Sequence, residues 1–382
     1  MSLFRRPVVE SRAIDAQAFL RSDDTTVYGS VGERALRLVP VFAATSMLAD
    51  SVAALPLQAY RLLGDGRRER TRWALLDQPA AHGTTYDWLH RCMISLLLRG
   101  NAYGLVTSTD GAGWPRQIEW LNPDLVTVDD HAYPTVRYFY RGVELDPASV
   151  IHVVGYARPG SAVGLSPVAN FAHTVDMGVG AASAARDWYR NGAMPNYSLK
   201  NTAQIVSPEM AELAKARWKS SQRTGEPFVA GADWELRPIG VNATDARFLE
   251  AIRATATQIA SIYRIPPEKI GGDTGSSMTY ATTEQQSIDF LTHSLMPWLV
   301  RIESAISAVM PRPIFAKFNA DAMIRTDTLT RMQVHEIALR TGIETLDEGR
   351  ALEDRPPLTP EQIDSWKSNY ARGVTTPAGG SA

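Results

Sequence analysis

Apolar positions along the chain alternate between a helical period and a period of two, and each change of period marks an element. Residues 1 to about 30 carry the polar run Ser22-Asp23-Asp24-Thr25-Thr26 and no sustained period, which predicts a mobile arm. A helix is expected from about Val41 to Ala54, stopped by Pro56, then a strand from Leu57 to Leu63 and the turn Gly64-Asp65-Gly66. Trp88, Leu89, Met93, Leu96 and Leu97 form one stripe of a second helix, Tyr86 to Arg99, with Thr84 or Thr85 as N-cap and Gly100 as a left-handed stop. Between Asn101 and Val154 the period becomes two. Strands are predicted at Tyr103 to Thr107, Gln117 to Leu121, Thr135 to Tyr140 and Val150 to Val154, so this part reads as an α+β domain.

The helical period then returns. A helix from about Pro167 to Arg190 is rich in small residues, among them Gly178, Gly180, Ala181 and Ala184, which suit either close approach of identical neighbours in a ring or an ordinary buried helix. Residues 193 to 241 predict a small module: a strand near Tyr197 to Leu199, a helix from Pro208 to Ser220, and strands around Phe228-Val229 and Trp234 to Ile239. Phe248, Ile252, Ile259 and Ile262 give a helix from Thr244 to Tyr263 one buried face, and Ile265-Pro266-Pro267 stops it. After a loop of glycines and small polar residues, Gly271 to Thr279, a long helix carries Leu291, Leu295, Ile302 and Ile306 on one stripe and should kink near Pro297, whose ring removes a backbone donor. Beyond Asp321 the chain predicts a helix over Leu329 to Leu339 and another beginning near Thr345, interrupted by Arg355-Pro356-Pro357.

Composition narrows the chemistry. With 45% hydrophobic and 21% charged residues over 382 positions, the chain is globular in character, and its net charge of -2 argues against tight gripping of nucleic acid. Val39 to Leu57, the most apolar stretch, contains Pro40, Asp50 and Pro56 and does not qualify as a membrane span. The lone Cys92 excludes an intramolecular disulfide and reads as a core thiol. His82, His90, His131, His152, His173, His293 and His335 are scattered singly with no metal-ligand spacing, and no nucleophile elbow occurs, so neither a metal site nor a catalytic set is expected. The loop at Gly271 is not followed by the Lys of a P-loop, and no cofactor is expected. Arg186, Arg190, Lys200, Arg247, Arg253, Arg264 and Lys269 cluster on or beside the two central helices, but Asp176, Asp187, Asp245, Glu250 and Glu268 nearly cancel them. Near cancellation suits a conduit wall as well as a solvated face, and two helices joined through a small polar loop suggest a channel subunit instead of a catalytic pocket.

Taken in order, several short segments resemble the portal proteins of tailed bacteriophages: Asp50-Ser51-Val52-Ala53-Ala54-Leu55-Pro56-Leu57, Gly100-Asn101-Ala102-Tyr103, Gly164-Leu165-Ser166-Pro167, Asn191-Gly192-Ala193-Met194-Pro195, Ile259 to Pro267, Met296-Pro297-Trp298 and Gly342 to Arg350. At Asp347 the last of these departs from an Asn common in the family. The resemblance implies an α+β portal-type subunit: a flexible arm (1–33), a wing (34–165), a first stem helix (166–192), a clip (193–241), a second stem helix (242–270), a tunnel loop (271–280), a kinked wing helix with its following strand (281–326), a short helical crown (327–366) and a disordered tail (367–382). It further implies a non-enzymatic ring, usually of twelve subunits, at a capsid vertex of the virion, assembled in the host cytoplasm. Its expected partners are double-stranded DNA held weakly and non-specifically, the large terminase, head-tail adaptor proteins and the major capsid or scaffold protein, with no membrane. Asp273, Thr274, Ser276, Ser277, Met278 and Thr279 would face DNA. Arg186, Arg190, Arg247 and Arg253 would flank the channel, Gly178, Gly180, Ala181 and Ala184 would pack the stem, and Pro297 would bend the long helix. The alternative is a phage scaffold or adaptor without a DNA channel.

Overall fold

The computed structural model describes residues 31–190, 196–201, 207–224, 234–239, 244–273, 283–320, 328–353 and 355–373. The chain divides into two units, Met1–Ala320 and Asp321–Ala382.

In the first unit, α1 (Val31–Leu36) leads into α2 (Val39–Ala53), and the short α3 (Ala74–Asp77) precedes α4 (Thr85–Arg99). α2 and α4 pack against each other; α2 buries Ala44, Leu48, Ala49 and Val52, and α4 buries Trp88, Leu89, Met93, Leu96 and Leu97. The ends of α4 form as the sequence predicts. Thr84 accepts from the Asp87 amide while Asp87 accepts from the Thr84 amide, and Gly100, at φ 72°, closes the helix on Leu96. Cys92 is fully buried, and burial pushes its thiol pKa up, as expected of a core thiol.

The described strands form small antiparallel sheets. β1 (Leu57–Leu62) lies between β2 (Arg68–Thr71) and the unit's last strand, Ile314–Phe318. β3 (Asn101–Thr109) lies between β4 (Pro115–Trp120) and β8 (Val150–Val154), while β5 (Val126–Asp129), β6 (Arg137–Tyr140) and β7 (Val143–Leu145) form a meander. β5 and β7, of four and three residues, are too short for an alternating pattern to stand out in the sequence. β9 (Asn196–Asn201) pairs with β10 (Trp234–Ile239), flanking α7 (Pro208–Thr224); Phe228-Val229 lies outside the described residues.

The helix expected from Pro167 to Arg190 is broken into α5 (Pro167–Asn170) and α6 (Ala172–Arg190). Ser166 caps the first turn by accepting from Ala169, and Phe171, at φ -110° and ψ 32°, leaves the helical region before the chain resumes it. α8 (Thr244–Tyr263) has the predicted limits and packs along α6. The long helix near Pro297 consists of α9 (Thr283–Asp289), a π-helical turn (Phe290–Leu295) and α10 (Met296–Ala308), with Pro297 in the first turn of α10. A wider turn before a proline moves the preceding carbonyls away from its ring, so the chain continues where an α-turn would clash. α10 buries Leu299, Ile302 and Ile306 and packs on β11 (Ile314–Phe318).

The second unit contains α11 (Thr328–Thr341), α12 (Leu346–Leu352) and α13 (Pro360–Gly373). Thr345 with Glu348, and Thr359 with Gln362, form reciprocal caps. Two boundaries read from the sequence change. α1 begins at Val31, inside the arm expected over 1–33, because its Ala35 and the following Leu38 are buried. α13 runs to Gly373, so a tail beginning at 367 would start inside a capped helix.

Candidate functional site

α6 packs on α8, and at Gly178 an added Cβ would lie 2.7 Å from Thr255 Cγ2 and 2.8 Å from Leu38 Cδ2. Gly178 therefore serves packing within the subunit. Gly180 meets nothing within 4 Å, Ala184 is exposed and Ala181 is half-buried, so these three small residues leave part of α6 uncovered. Arg186 is exposed and lies 3.4 Å from Asp187, and Arg253 is exposed on α8. Arg190 and Arg247 belong to the same helices, but their side chains lie outside the described residues.

The loop after α8 is anchored at its start. Gly271, at φ 80°, ends a 3₁₀ turn over Pro267–Ile270, and the Asp273 amide donates to Thr257 Oγ1 of α8 at 3.0 Å. Gly272 fits against Pro267 and Thr257, where a Cβ would lie 2.7 Å from Pro267 Cβ. Thr274, Ser276, Ser277, Met278 and Thr279 lie outside the described residues.

Elsewhere the chain ties a buried polar knot that composition and period did not single out. Asn101 Nδ2 donates to the Gly164 carbonyl at 2.8 Å, and Asn101 Oδ1 accepts from the Gly164 amide at 2.7 Å. The Gly155 amide donates to the Gly100 carbonyl at 2.8 Å. At Gly100 a Cβ would meet the Leu165 carbonyl oxygen at 2.1 Å, so a side chain has no room there. His152 lies with Nε2 3.0 Å from Asn101 Oδ1 and Nδ1 3.3 Å from the Tyr138 hydroxyl, and burial holds its pKa down at about 4.

Next to the knot is a cleft of about 450 Å³, lined among others by Tyr156, Phe171, Arg264, His293, Trp298 and Arg301. Arg264 sits just past α8 at φ 56°. Ile265 donates to Ala260 at 3.0 Å and Arg264 to Ser261 at 3.3 Å, the paired bonds of a helix stop usually built on glycine. Ser294 of the π-turn donates to the Arg264 carbonyl, and the buried Tyr263 hydroxyl donates to Leu97 at 3.2 Å. Arg301 donates to the carbonyls of Pro297, at 2.7 Å, and Gly155, at 3.3 Å. Burial first, and then the charge of Arg264, hold the Arg301 pKa below its ordinary value.

The sequence profile of the family described as phage portal protein matches residues 40–354. The chain belongs to the phage portal protein family. It is 28% identical to the probable portal protein of Streptomyces phage phiC31 across 85% of this chain and 76% of that one. With the portal protein of Enterobacteria phage HK97 the identity is 22%, across 88% and 83%. The solved HK97-family portal protein from Corynebacterium diphtheriae shares the fold with a TM-score of 0.61 at 18% identity, covering 77% of this chain and 96% of that one. A chain from the neck of a native gene transfer agent particle, computed with twelvefold symmetry, gives a TM-score of 0.57 at 22% identity, covering 86% and 95%. The fold is thus the α+β portal type.

Four portal-like segments quoted from the sequence converge at the cleft: Gly100 opens one of them, Gly164 to Pro167 enters beside it, the end of the Ile259 to Pro267 run supplies Tyr263 and Arg264, and Pro297-Trp298 closes the other side. Both halves of the knot lie in segments quoted from the sequence, Gly100-Asn101 and Gly164-Leu165, but nothing there showed that they meet, since periodicity is blind to a polar residue buried by a partner far along the chain. Among the described residues no group of His, Cys, Asp and Glu could hold a metal ion, and no helix is long and apolar enough to cross a membrane.

Proposed function

We propose that this portal family member assembles into a closed ring of twelve copies at a capsid vertex, around an axial channel for double-stranded DNA. The observation that carries the reading is the family match across residues 40–354, together with the fold shared with a neck chain solved under twelvefold symmetry. In this reading α6 and α8 form the stem, residues 193–241 the clip, residues 271–280 the tunnel loop and residues 327–366 the crown. Residues 34–165 and the helix through Pro297 form the wing. The open position at Gly180 and the exposed Ala184 support a stem whose uncovered face meets a neighbouring copy. Arg186, Arg190, Arg247 and Arg253 have carboxylates close to them in the sequence, which suits weak, non-specific contact with moving DNA, because each neutralised phosphate steepens the salt dependence of binding. The tunnel loop would touch DNA through Asp273, Thr274, Ser276, Ser277, Met278 and Thr279. The subunit itself catalyses nothing in this reading. Its clip docks the large terminase during assembly in the host cytoplasm and head-tail adaptor proteins afterwards, while its wing meets the capsid or scaffold protein.

Negative-stain electron microscopy with light scattering tests the reading. Closed rings with an axial hole wide enough for a duplex, at least about 20 Å, are expected, the DNA double helix being far wider than either of its grooves. Filaments, or dimers without a hole, would favour an adaptor instead.

A further inference from the structure

α8 stops on an arginine held where glycine would sit without strain. Arg264, at φ 56°, carries a side chain in the left-handed region, and among the described residues only Arg141 is another non-glycine at positive φ. Backbone strain of this kind concentrates at ligand clamps and switches. Arg264 lines the cleft beside the Asn101 knot, and its charge acts on Arg301 across that space. Arg301 uses Nε on the Gly155 carbonyl and Nη1 on the Pro297 carbonyl, which leaves Nη2 for another acceptor. Its guanidinium carbon lies 5.6 Å from the centroid of the Trp298 ring. No carboxylate is among the described residues that line the cleft, so two neighbouring cations face it without a counter-charge. Asp289, close by in the chain, pairs with the lining His293 at 3.2 Å.

The rest of the wall is aromatic and open: Tyr156 is 64% and Phe171 43% exposed, and Trp298 is half-buried. Unmatched guanidinium groups beside exposed rings fit a carboxylate and an apolar side chain that stand next to each other on one peptide. A nucleic-acid strand fits less well, because its phosphates need a row of cations, and the lining residues include no lysine and no arginine besides these two. We propose that this cleft docks an acidic peptide segment of a partner protein, its carboxylates on Arg264 and Arg301 and an adjacent aromatic side chain against Tyr156 and Phe171. This inference does not depend on the ring, so imaging and the following test fail separately.

The probe is the acetylated, amidated peptide Gly-Phe-Asp-Asp-Gly, added to the full-length protein in a calorimeter at fixed ionic strength. It should bind at least about tenfold more tightly than Gly-Phe-Asn-Asn-Gly or Gly-Ser-Asp-Asp-Gly. Arg264→Gly separates binding from folding. Glycine relieves the positive φ, so this variant should melt at a higher temperature and yet lose the preference for Asp over Asn. Tyr156→Ser, at an exposed position, should lose the preference for Phe over Ser with the melting temperature nearly unchanged. Equal affinity for the three peptides would overturn the proposal, and so would an Arg264→Gly variant that binds as the parent does. Inorganic phosphate competing as tightly as the peptide would reduce the cleft to a simple anion site. Single-stranded oligothymidylate binding more tightly, and through Arg264, would make nucleic acid the occupant; either result overturns the peptide.

Discussion

Asn101 and Gly164 stand 63 residues apart in sequence and exchange two hydrogen bonds, with the Asn101 side chain reading both the amide and the carbonyl of Gly164. Asn101 is 5% exposed, so water cannot replace either bond. A carboxamide is the group that both donates and accepts at this reach. Asn101→Ala strands buried backbone groups and should cost about 3 kcal/mol of stability. Asn101→Asp should cost at least as much, because a carboxylate cannot donate to the Gly164 carbonyl. Urea denaturation measures both, and a midpoint unchanged in Asn101→Asp would mean that the donated bond contributes nothing.

The two units should respond to pH in opposite directions. In the folded first unit His152 binds its proton only near pH 4, whereas an unfolded histidine binds near its ordinary 6.5. Between these values the unfolded chain takes up the proton first, so stability falls as pH drops through that window, by up to about 3 kcal/mol. In the second unit His335 lies 3.0 Å from Glu344 and 3.3 Å from Glu353, and chiefly the hydrogen bond with Glu344 raises its pKa. That contribution is fully present below 6.5 and is lost as pH rises through the raised value. Segment-resolved hydrogen exchange against pH should show acid weakening β3 and β8 and mild alkali weakening α11 and α12. His335→Gln should abolish the second trend alone.

The elements that were legible in the sequence are those whose determinants are local. α4 could be read from Thr84, its apolar stripe and Gly100, and α8 from its stripe and the Pro266-Pro267 stop, because capping and periodicity act within a few residues. The break at Phe171 and the π-turn before Pro297 were not legible. The first depends on Ser166 capping a turn while donating to Leu98, 68 residues away; at the second, Pro297 signalled an irregularity but not a π-turn whose Ser294 reaches the Arg264 carbonyl. The same holds for the candidate site. Segments resembling a family could be picked out one by one, but their meeting at one cleft is a property of the packed chain. Gly178 and Gly180 looked equivalent by composition and differ only in what stands opposite them.

That difference gives a paired test of the stem reading. Glycine in a helix interior costs about 1 kcal/mol relative to alanine, so Gly180→Ala should raise the melting temperature of the subunit slightly. Gly178→Ala should lower it despite the same gain, because the new methyl would press on Thr255 and Leu38. Gly180→Leu should leave the subunit folded and disturb assembly, seen as fewer closed rings by electron microscopy. Normal rings in Gly180→Leu would remove this face of α6 from the interface.

The anchoring of the loop after α8 can be separated from its contact with DNA. Thr257 Oγ1 accepts from the Asp273 amide and donates to the Arg253 carbonyl, so one hydroxyl joins the loop's first residues to the helix. Thr257→Val keeps the side chain's shape and removes the acceptor, at a cost of about 1 kcal/mol confined to a partly exposed site. Global unfolding should shift little, while hydrogen exchange at Gly272 and Asp273 accelerates several-fold. If the loop works on DNA from a fixed base, the same variant should slow packaging into capsids without reducing ring yield. Packaging at the normal rate, with exchange accelerated as expected, would show that the loop's action does not need its base held on α8.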